Sequence, residues 1–449
     1  MYRVIVRSKR DRDATAATLD SYYKDWDIEL LTLKGARTLT KVLDRLKEHL
    51  VDDRFILVLL GREDSSLAEA LKRLLPVNAS VYVVPRARVR NAKMKTIRRG
   101  IEMARAKLRL SVSWLPEEGV YVLKGEEGEA LEGFEVDPAY DIFMGIGSSF
   151  KKHLEDLLEA PLCSNPLLLR KFGGVHLVYC GKYPTAKLVI PDLGCKPMAK
   201  LLRSCEQRDV PLSHMLAENK EILAQFENIS LKFLKRFEEK VDSVIVPWSG
   251  GKDSTASLLL ALKAFGRKKV TAVYVDTGVD FPQNREYVER LAKELSVKLI
   301  EAEASVKNGL KFEKLPLPTH KNRWCTARKI ATLEKIIDEM KGEKLVIAGD
   351  RDPESEQRAQ RPPIRRVKNY TIITPLKQWS TAHVQLYLLL QGVPLNPLYY
   401  LGFYRLGCYI CPALRSWEIY LMLKSSLNIP EKEIYTLFLK SRVPSTECY

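Results

Sequence analysis

The feature that most constrains the fold is a short apolar run followed at once by a glycine-rich turn. Residues 244–246 (VIV) are β-branched, which predicts a buried strand. The turn SGGKDS occupies residues 249–254, and residues 256–265 then carry leucines at helical spacing. A strand, a tight turn and a helix in this order are typical of an α/β domain with a parallel sheet, whose ligands bind at the carboxyl ends of the strands.

The composition of the turn predicts a phosphate site. Gly250 and Gly251 lack a Cβ atom, so backbone N–H groups can approach a phosphate oxygen. Ser249 and Ser254 add hydroxyl groups, Lys252 adds a positive charge, and the start of the helix adds a partial positive charge. The sequence has no Walker string GxxxxGK[ST]. The alternative is a strand-to-helix connection that binds nothing.

Further motifs follow in the order and spacing of one known family. They are DTG at 276–278, WCTARK at 324–329, GDRDPESEQR at 349–358, TPL at 374–376, NPLY at 396–399 and CYICP at 408–412. With the SGGKDS turn they resemble the PAPS (phosphoadenosine phosphosulfate) reductase family over about residues 240 to 420. That family is a branch of the ATP pyrophosphatases. The resemblance implies a parallel-sheet PP-loop domain of the adenine nucleotide alpha hydrolase type.

The same resemblance implies a set of site residues. The residues expected to bind the nucleotide are Ser249, Gly250, Gly251, Lys252, Asp253, Ser254, Asp276, Thr277 and Gly278. Arg351 and Arg358 are expected to clamp phosphate or sulfate through planar, charge-assisted bonds. With Lys252 and Asp253 they form the expected catalytic set. The alternatives are that Asp276 caps a turn and that Arg358 is a surface charge.

One departure from the reductases concerns the substrate. PAPS reductases have lost most of the SGGKDS residues because they cleave no phosphoanhydride, whereas this chain keeps all six. Lys252 can neutralise a leaving pyrophosphate, and Asp253 can hold Mg²⁺ on it. The expected nucleotide is therefore ATP with Mg²⁺ rather than PAPS.

A second departure concerns cysteine. Reductases that carry a 4Fe-4S cluster have a Cys-Cys pair before xxRK, and here Trp324 replaces the first cysteine. The resemblance thus implies three ligands, Cys325, Cys408 and Cys411, and sulfurtransferases of the superfamily have such a three-cysteine cluster. Zn²⁺ or no metal are the alternatives.

The remaining cysteines carry weaker signals. Cys163, Cys180, Cys195 and Cys205 match no common metal-binding spacing and are expected to be buried free thiols. Cys448 follows a glutamate near the chain end, as the reactive cysteine of the reductases does, but the Gly-Leu-His that follows it there is absent.

Positive charge is concentrated along the chain. Lysine and arginine number 73 against 56 acidic residues, which gives a net charge of +17. Residues 86–109 hold ten basic residues and one acid, a pattern that favours RNA binding, with Arg98, Arg99 and Arg105 as candidate contacts. A solvated helix face is the alternative. A second basic cluster spans residues 358–368.

Composition and periodicity divide the chain into four parts. Residues 1–112 are expected to form a small α/β domain with a basic helix, and 113–235 a β-rich α+β segment with a linking helix. Residues 236–425 are expected to form the PAPS reductase-like domain, and 426–449 a helical tail. The sequence has neither an apolar run of 18 residues nor a signal peptide, so we expect a cytoplasmic protein with no membrane partner.

The expected function is ATP-dependent adenylation with release of pyrophosphate, coupled to sulfur transfer to an RNA such as tRNA or rRNA. One alternative is a thiol-dependent PAPS or APS (adenosine 5′-phosphosulfate) reductase, which needs Cys448. The other is a non-catalytic, RNA- or ribosome-associated protein that binds a nucleotide.

Overall fold

The structure is a computed structural model that describes residues 1–205 and 209–443, in which the strands form four sheets. In that part of the chain, none of the helices combines the length and the apolar character that crossing a membrane requires. Cys448 lies outside the described residues.

The N-terminal layer is a four-stranded parallel sheet in the order β2-β1-β3-β4. Its strands are β1 (Tyr2–Val6), β2 (Ile28–Thr32), β3 (Phe55–Leu60) and β4 (Ala79–Val83). Its helices are α1 (Lys9–Tyr22), α2 (Leu39–Lys47), α3 (Ser65–Lys72) and α4 (Met94–Arg109). Every residue of β3 is buried, as a continuous apolar run predicts for an inner parallel strand.

The middle segment holds two antiparallel sheets. The small sheet has the order β6-β5-β7 and consists of β5 (Ser113–Leu115), β6 (Val120–Val122) and β7 (Glu129–Ala130). The larger has the order β12-β11-β10-β9-β8 and consists of β8 (Asp141–Met144), β9 (Leu167–Arg170), β10 (Val175–Tyr179), β11 (Pro184–Val189) and β12 (Met198–Leu201). Helix α5 (Ser148–Leu158) follows β8.

The linking helix expected at the end of residues 113–235 is in fact two helices, α6 (Leu212–Glu218) and α7 (Lys220–Lys235). Asn219 lies between them, and its buried side chain bonds both to α6 and to β6 with the residue that follows it. Its Nδ2 donates to the carbonyl oxygens of Tyr121 and Met215 at 2.8 and 2.7 Å, and its Oδ1 accepts from the Leu123 N–H at 2.7 Å. Periodicity cannot reveal such a break, since two of the three bonding partners of Asn219 lie in or directly after the distant strand β6.

The C-terminal sheet has six strands in the order β15-β14-β13-β16-β18-β17, and all neighbours are parallel except β17 and β18. Its strands are β13 (Ser243–Pro247), β14 (Val270–Asp276), β15 (Lys298–Glu303), β16 (Lys344–Ile347), β17 (Ile364–Val367) and β18 (Tyr370–Ile373). The helices are α8 (Lys252–Lys269), α9 (Pro282–Glu294), α10 (Val306–Lys311), α11 (Trp324–Glu339), α12 (Glu356–Gln360), α13 (Thr381–Leu390), α14 (Pro397–Leu401), α15 (Ser416–Lys424) and α16 (Lys432–Arg442). The predicted α/β fold class is confirmed. Strand order reverses at β13, which is where ligands bind in sheets of this kind.

Buried polar bonds join the three regions. The Gln385 side chain on α13 accepts from the Met144 N–H at 2.8 Å and donates to the Met144 carbonyl at 3.0 Å, which ties the C-terminal sheet to β8. Gln378 donates to the carbonyl of Arg105 at 2.5 Å and accepts from the Tyr2 hydroxyl at 3.3 Å. The C-terminal domain is therefore fixed to both preceding regions.

The prediction of free thiols is wrong for Cys163 and Cys180. These two residues form a disulfide with a Cα–Cα distance of 5.6 Å, and Cys195 is disulfide-bonded as well. Cys163 precedes β9 and Cys180 follows β10, so the antiparallel pairing of these strands brings the two cysteines together. Their sequence separation of 17 residues does not reveal this pairing.

Candidate nucleotide-binding site

The SGGKDS turn lies between β13 and α8 and is held from both sides. Trp248 is buried, and its Nε1 donates to the Thr255 hydroxyl at 3.0 Å. The Ser249 N–H donates to Ser254 Oγ at 3.3 Å, which closes the turn on itself. Helix α8 begins at Lys252, directly after the two glycines. The predicted order of strand, turn and helix is confirmed.

Glycine is required at position 250 for two reasons. Its φ of +74° lies in the left-handed region, and a Cβ atom there would lie 3.2 Å from the Val288 side chain and 3.3 Å from the Asn284 carbonyl. Asn396 fixes the turn further, since its Nδ2 donates to the Gly250 carbonyl at 3.3 Å and to Asn284 Oδ1 at 3.1 Å. The backbone of the turn is thus set by packing against α9 and by the residue that caps α14.

Asp253 connects two of the three cations of the expected catalytic set, Lys252 and Arg351. The Lys252 Nζ lies 2.9 Å from its Oδ2, and the Arg351 Nε lies 2.6 Å from its Oδ1. Burial acts to raise the pKa of Asp253, but Arg351 and Lys252 outweigh burial and hold that pKa below its ordinary value. Asp253 is therefore ionised at neutral pH.

Arg351 is buried next to the SGGKDS turn and contacts it through Asp253. The resemblance implied that it clamps phosphate, yet the residue is 2% exposed. Besides Asp253, its guanidinium donates to Asp141 Oδ2 at 3.0 Å and to the Thr381 hydroxyl at 2.8 Å. The structure thus places Arg351 where it positions Asp253.

Arg358 lies nearer the surface. It is within 3.5 Å of Asp350 and also pairs with Glu354, and a third of its side chain is exposed. Arg361 and Arg365 approach the same Asp350 at 3.5 and 3.3 Å. Much of the charge of the second basic cluster is therefore directed at one carboxylate.

The end of β14 forms a tight turn. Asp276 Oδ1 accepts from the Gly278 N–H at 2.7 Å, and the Thr277 N–H donates to Asp280 Oδ2 at 3.1 Å. Asp276 thus caps a turn, which was one of the two interpretations of this residue. Because β14 is the parallel neighbour of β13, this turn lies at the same sheet edge as SGGKDS.

The CxxC segment lies against this turn. Cys408 Sγ is 3.2 Å from the Thr277 hydroxyl, and the Cys411 N–H donates to the Cys408 carbonyl at 3.1 Å. Cys325 is the second residue of α11, and Lys329 follows it on the same helix. Burial opposes the charge of Lys329, but Asp280 and Cys408 outweigh it and raise the pKa of Lys329. The start of α11 therefore approaches the CxxC segment.

The three predicted ligands do not suit a single zinc ion in this arrangement. Three sulfurs on one zinc lie within about 4.6 Å of one another, since each Zn–S bond is about 2.3 Å. Over residues 1–205 and 209–443, the set of three or more metal-ligating side chains with ligand atoms within 4.8 Å of one another is Cys163, Cys180 and Cys205. An iron-sulfur cluster holds its cysteines farther apart than a single ion does, so the cluster at Cys325, Cys408 and Cys411 stays a prediction.

A cavity of about 670 Å³ adjoins the turn. Lys252, Arg351 and Tyr399 line it on the nucleotide side, and α4 lines it on the other. The Tyr399 hydroxyl accepts from the Lys252 N–H at 3.0 Å. The middle wall of the cavity consists of Phe143, Arg170 and His176 from the larger antiparallel sheet and of Tyr404 and Arg405 from the segment after α14.

The basic run on α4 differs from its prediction. Arg98 and Arg99 line the cavity but pair with Glu102 at 2.9 Å and Asp137 at 2.6 Å. Arg105 is 3% exposed, pairs with Asp352 and packs over Trp26, so it cannot reach an RNA phosphate in this structure. All three arginines line the cavity, but Arg105 is buried whereas Arg98 and Arg99 are partly exposed.

Several residues of the site were not predicted from the sequence. Asp141 belongs to β8, in a different sheet from the nucleotide turn, so no spacing links it to Arg351. Gly349 must lack a side chain because a Cβ would lie 2.9 Å from the Asp253 backbone. Tyr399 belongs to the NPLY motif. The resemblance includes this motif together with SGGKDS, and that is the one signal from which Tyr399 could have been predicted as a site residue.

Residues 243–414 match the family described as the phosphoadenosine phosphosulfate reductase domain. The predicted family resemblance is thereby confirmed for this domain. An uncharacterized protein of Methanocaldococcus jannaschii is 34% identical over 211 residues, which are 46% of this chain and 44% of that protein. An adenosine 5′-phosphosulfate reductase of Deinococcus radiodurans is 30% identical over 34% of this chain and 61% of its own. A sulfate adenylyltransferase subunit 2 of Saccharophagus degradans is 26% identical over 40% of this chain and 67% of its own.

The chain spans about half the length of the first curated relatives that it matches. The similarity to these relatives covers less than half of this chain.

Proposed function

Since residues 243–414 form a domain of the PAPS reductase family, we propose that the SGGKDS turn binds ATP with Mg²⁺ and transfers its adenylyl group to an acceptor in the adjoining cavity. The observation that carries this proposal is the pair Lys252 and Asp253, held by Arg351 at the wall of that cavity. The name of one relative, sulfate adenylyltransferase, also denotes adenylyl transfer.

The ion network suggests how the turn handles pyrophosphate. Lys252 can leave Asp253 and place its ammonium on the β and γ phosphates, where it neutralises the charge of the leaving group. Asp253 Oδ2 then becomes available to Mg²⁺, while Oδ1 stays on Arg351. Because Arg351 remains, Asp253 keeps its negative charge after Lys252 has moved.

The reaction is a displacement at the α-phosphorus. An oxygen of the acceptor forms a bond to that phosphorus, the bond to the bridging oxygen of pyrophosphate breaks, and its electron pair leaves with pyrophosphate. A sulfur nucleophile then displaces AMP from the adenylated acceptor. Positioning and charge neutralisation by the chain account for the catalysis.

The acceptor that we propose is a base carbonyl of an RNA such as tRNA. Arg170 and Arg405 in the middle wall and Arg98 and Arg99 at α4 give the cavity positive charge toward a nucleic-acid backbone. Phe143 and Tyr404, which pack against each other, give the same cavity an aromatic wall beside these charges. Cys325, Cys408 and Cys411 would hold a cluster that supplies the sulfur, at the same sheet edge as the nucleotide turn.

The test is pyrophosphate release from ATP and Mg²⁺ by the full chain, with tRNA as acceptor. We expect Lys252→Ala and Asp253→Asn to reduce the rate at least ~10³-fold, since each removes charge that acts on the leaving group. Lys268→Ala is the matched control, because Lys268 is an exposed lysine on the same helix. Rates equal to wild type in both loop variants would refute adenylation at this turn.

A further inference from the structure

Three sulfur atoms meet at one end of the larger antiparallel sheet. The sulfurs of Cys163, Cys180 and Cys205 all lie within 4.8 Å of one another. Cys163 precedes β9, Cys180 follows β10 and Cys205 follows β12. Strands β9, β10, β11 and β12 are antiparallel neighbours in that order. The start of β9, the end of β10 and the end of β12 therefore lie at the same end of the sheet. The topology itself therefore brings together cysteines that are far apart in sequence.

The surroundings of the sulfurs suit a charged thiolate. The Cys163 N–H donates to Cys180 Sγ at 3.1 Å, and such a donor stabilises negative charge on sulfur. Gly181 follows Cys180 with a φ of +98°, and the Tyr121 hydroxyl bonds its N–H at 2.8 Å and its carbonyl at 3.0 Å. The turn after Cys180 is thus fixed by a buried residue of a different sheet.

We propose that Cys163, Cys180 and Cys205, in their reduced form, bind one Zn²⁺ as thiolates at this end of the sheet. Sulfurs that share a tetrahedral zinc lie about 4 Å apart, given a Zn–S bond of about 2.3 Å. A disulfide between two of the cysteines does not require a third sulfur at this distance, whereas a zinc site does. The fourth ligand is water.

Zinc binding requires reduction of the Cys163–Cys180 disulfide. A dithiol reductant supplies two electrons and two protons, its own two sulfurs join in a disulfide, and Cys163 and Cys180 become thiols. Three Zn–S bonds then form, and the three thiols release three protons to solvent. The site is separate from the nucleotide turn, so the inference is independent of the adenylation proposal.

The experiment uses the full chain, reduced with a dithiol and freed of it by anaerobic gel filtration. After addition of zinc chloride and desalting, we expect one zinc per chain, measured by mass spectrometry, in a Cys408→Ser background that removes the other thiolate set. Adding Cys205→Ser to this background should weaken zinc binding at least tenfold. Cys325→Ser, added in the same way, is the matched control and should leave zinc binding at the larger antiparallel sheet unchanged.

A second measurement needs no substitution at the site. In the same background protein kept oxidised, the disulfide withholds Cys163 and Cys180 from zinc, so this protein should hold no zinc, while its circular dichroism spectrum stays that of a folded chain. In the reduced protein, cobalt should give the thiolate-to-cobalt absorption of a tetrahedral site. Zinc binding that is equally tight with Cys205→Ser, or absent from the reduced background protein, would overturn the inference.

Discussion

The SGGKDS turn and helix α4 are both basic, and they differ in how their cations are paired with carboxylates. At the turn, Lys252 and Arg351 share one carboxylate, Asp253, beside a cavity. On and before α4, six of the ten basic residues of the run lie within 4.0 Å of a carboxylate, and two of these are buried. A count of basic residues along the chain measures charge, but anion binding depends on charge that no carboxylate already neutralises.

The strongest test of this contrast is Arg351→Met. The substitution leaves the Asp141 and Asp253 carboxylates without their shared cation, and breaking a buried pair in this way costs about 3 to 5 kcal/mol. Chemical denaturation should show this loss in the free energy of unfolding. Arg358→Met, at a partly exposed arginine of the same segment, should cost under about 1 kcal/mol. Equal losses in the two variants would contradict the assignment of Arg351 as a buried support.

Arg105→Met tests the same distinction on α4. Asp352 loses one buried partner but keeps Lys377 at 2.9 Å, so we expect a loss of about 2 kcal/mol in the free energy of unfolding. Arg99→Met, at an arginine with half its side chain exposed, should change stability by no more than about 0.5 kcal/mol. If Arg99→Met proved the more costly, the division of α4 into buried and exposed arginines would be wrong.

Lowering the pH should reduce the stability of the fold, because two histidines are buried in it as neutral groups. Burial, assisted by Arg351, lowers the pKa of His383 to about 3, and burial also lowers that of His176 to about 3. The unfolded chain therefore binds more protons between pH 6.5 and 3, so stability falls as pH falls through that window. Each histidine contributes up to about 1.4 kcal/mol per pH unit. His383→Gln should remove half of this slope above pH 4, whereas His320→Gln, at an exposed position, should leave it unchanged.

The smallest effect is expected for RNA. If Arg98 and Arg99 contact RNA phosphates, replacing both by alanine should lower the salt dependence of tRNA binding by about one slope unit per lost contact. ATP binding should be unaffected. A salt slope equal to that of wild type would show that the ion pairs with Glu102 and Asp137 are the whole role of these arginines.

The nucleotide turn could be predicted because its determinants are local. Strand β13, the two glycines and the start of α8 follow one another within a dozen residues, and side-chain periodicity shows each of them. The role of Arg351 could not be predicted, since its partner Asp141 lies 210 residues away in another sheet. The disulfide between Cys163 and Cys180 depends on strand pairing, and the interior position of Arg105 depends on how α4 packs against the C-terminal domain. Each of these requires the assembled fold.

The bond from Arg351 to Asp141 makes the C-terminal domain structurally incomplete by itself. A fragment that began near residue 236 would contain the whole SGGKDS turn, yet it would lack one of the two carboxylates that balance the buried guanidinium beneath it. Grafting the domain onto another protein would therefore require a substitute for Asp141. The family motifs lie within residues 243–414, but a fragment that keeps the bonding of Arg351 intact must begin at or before β8.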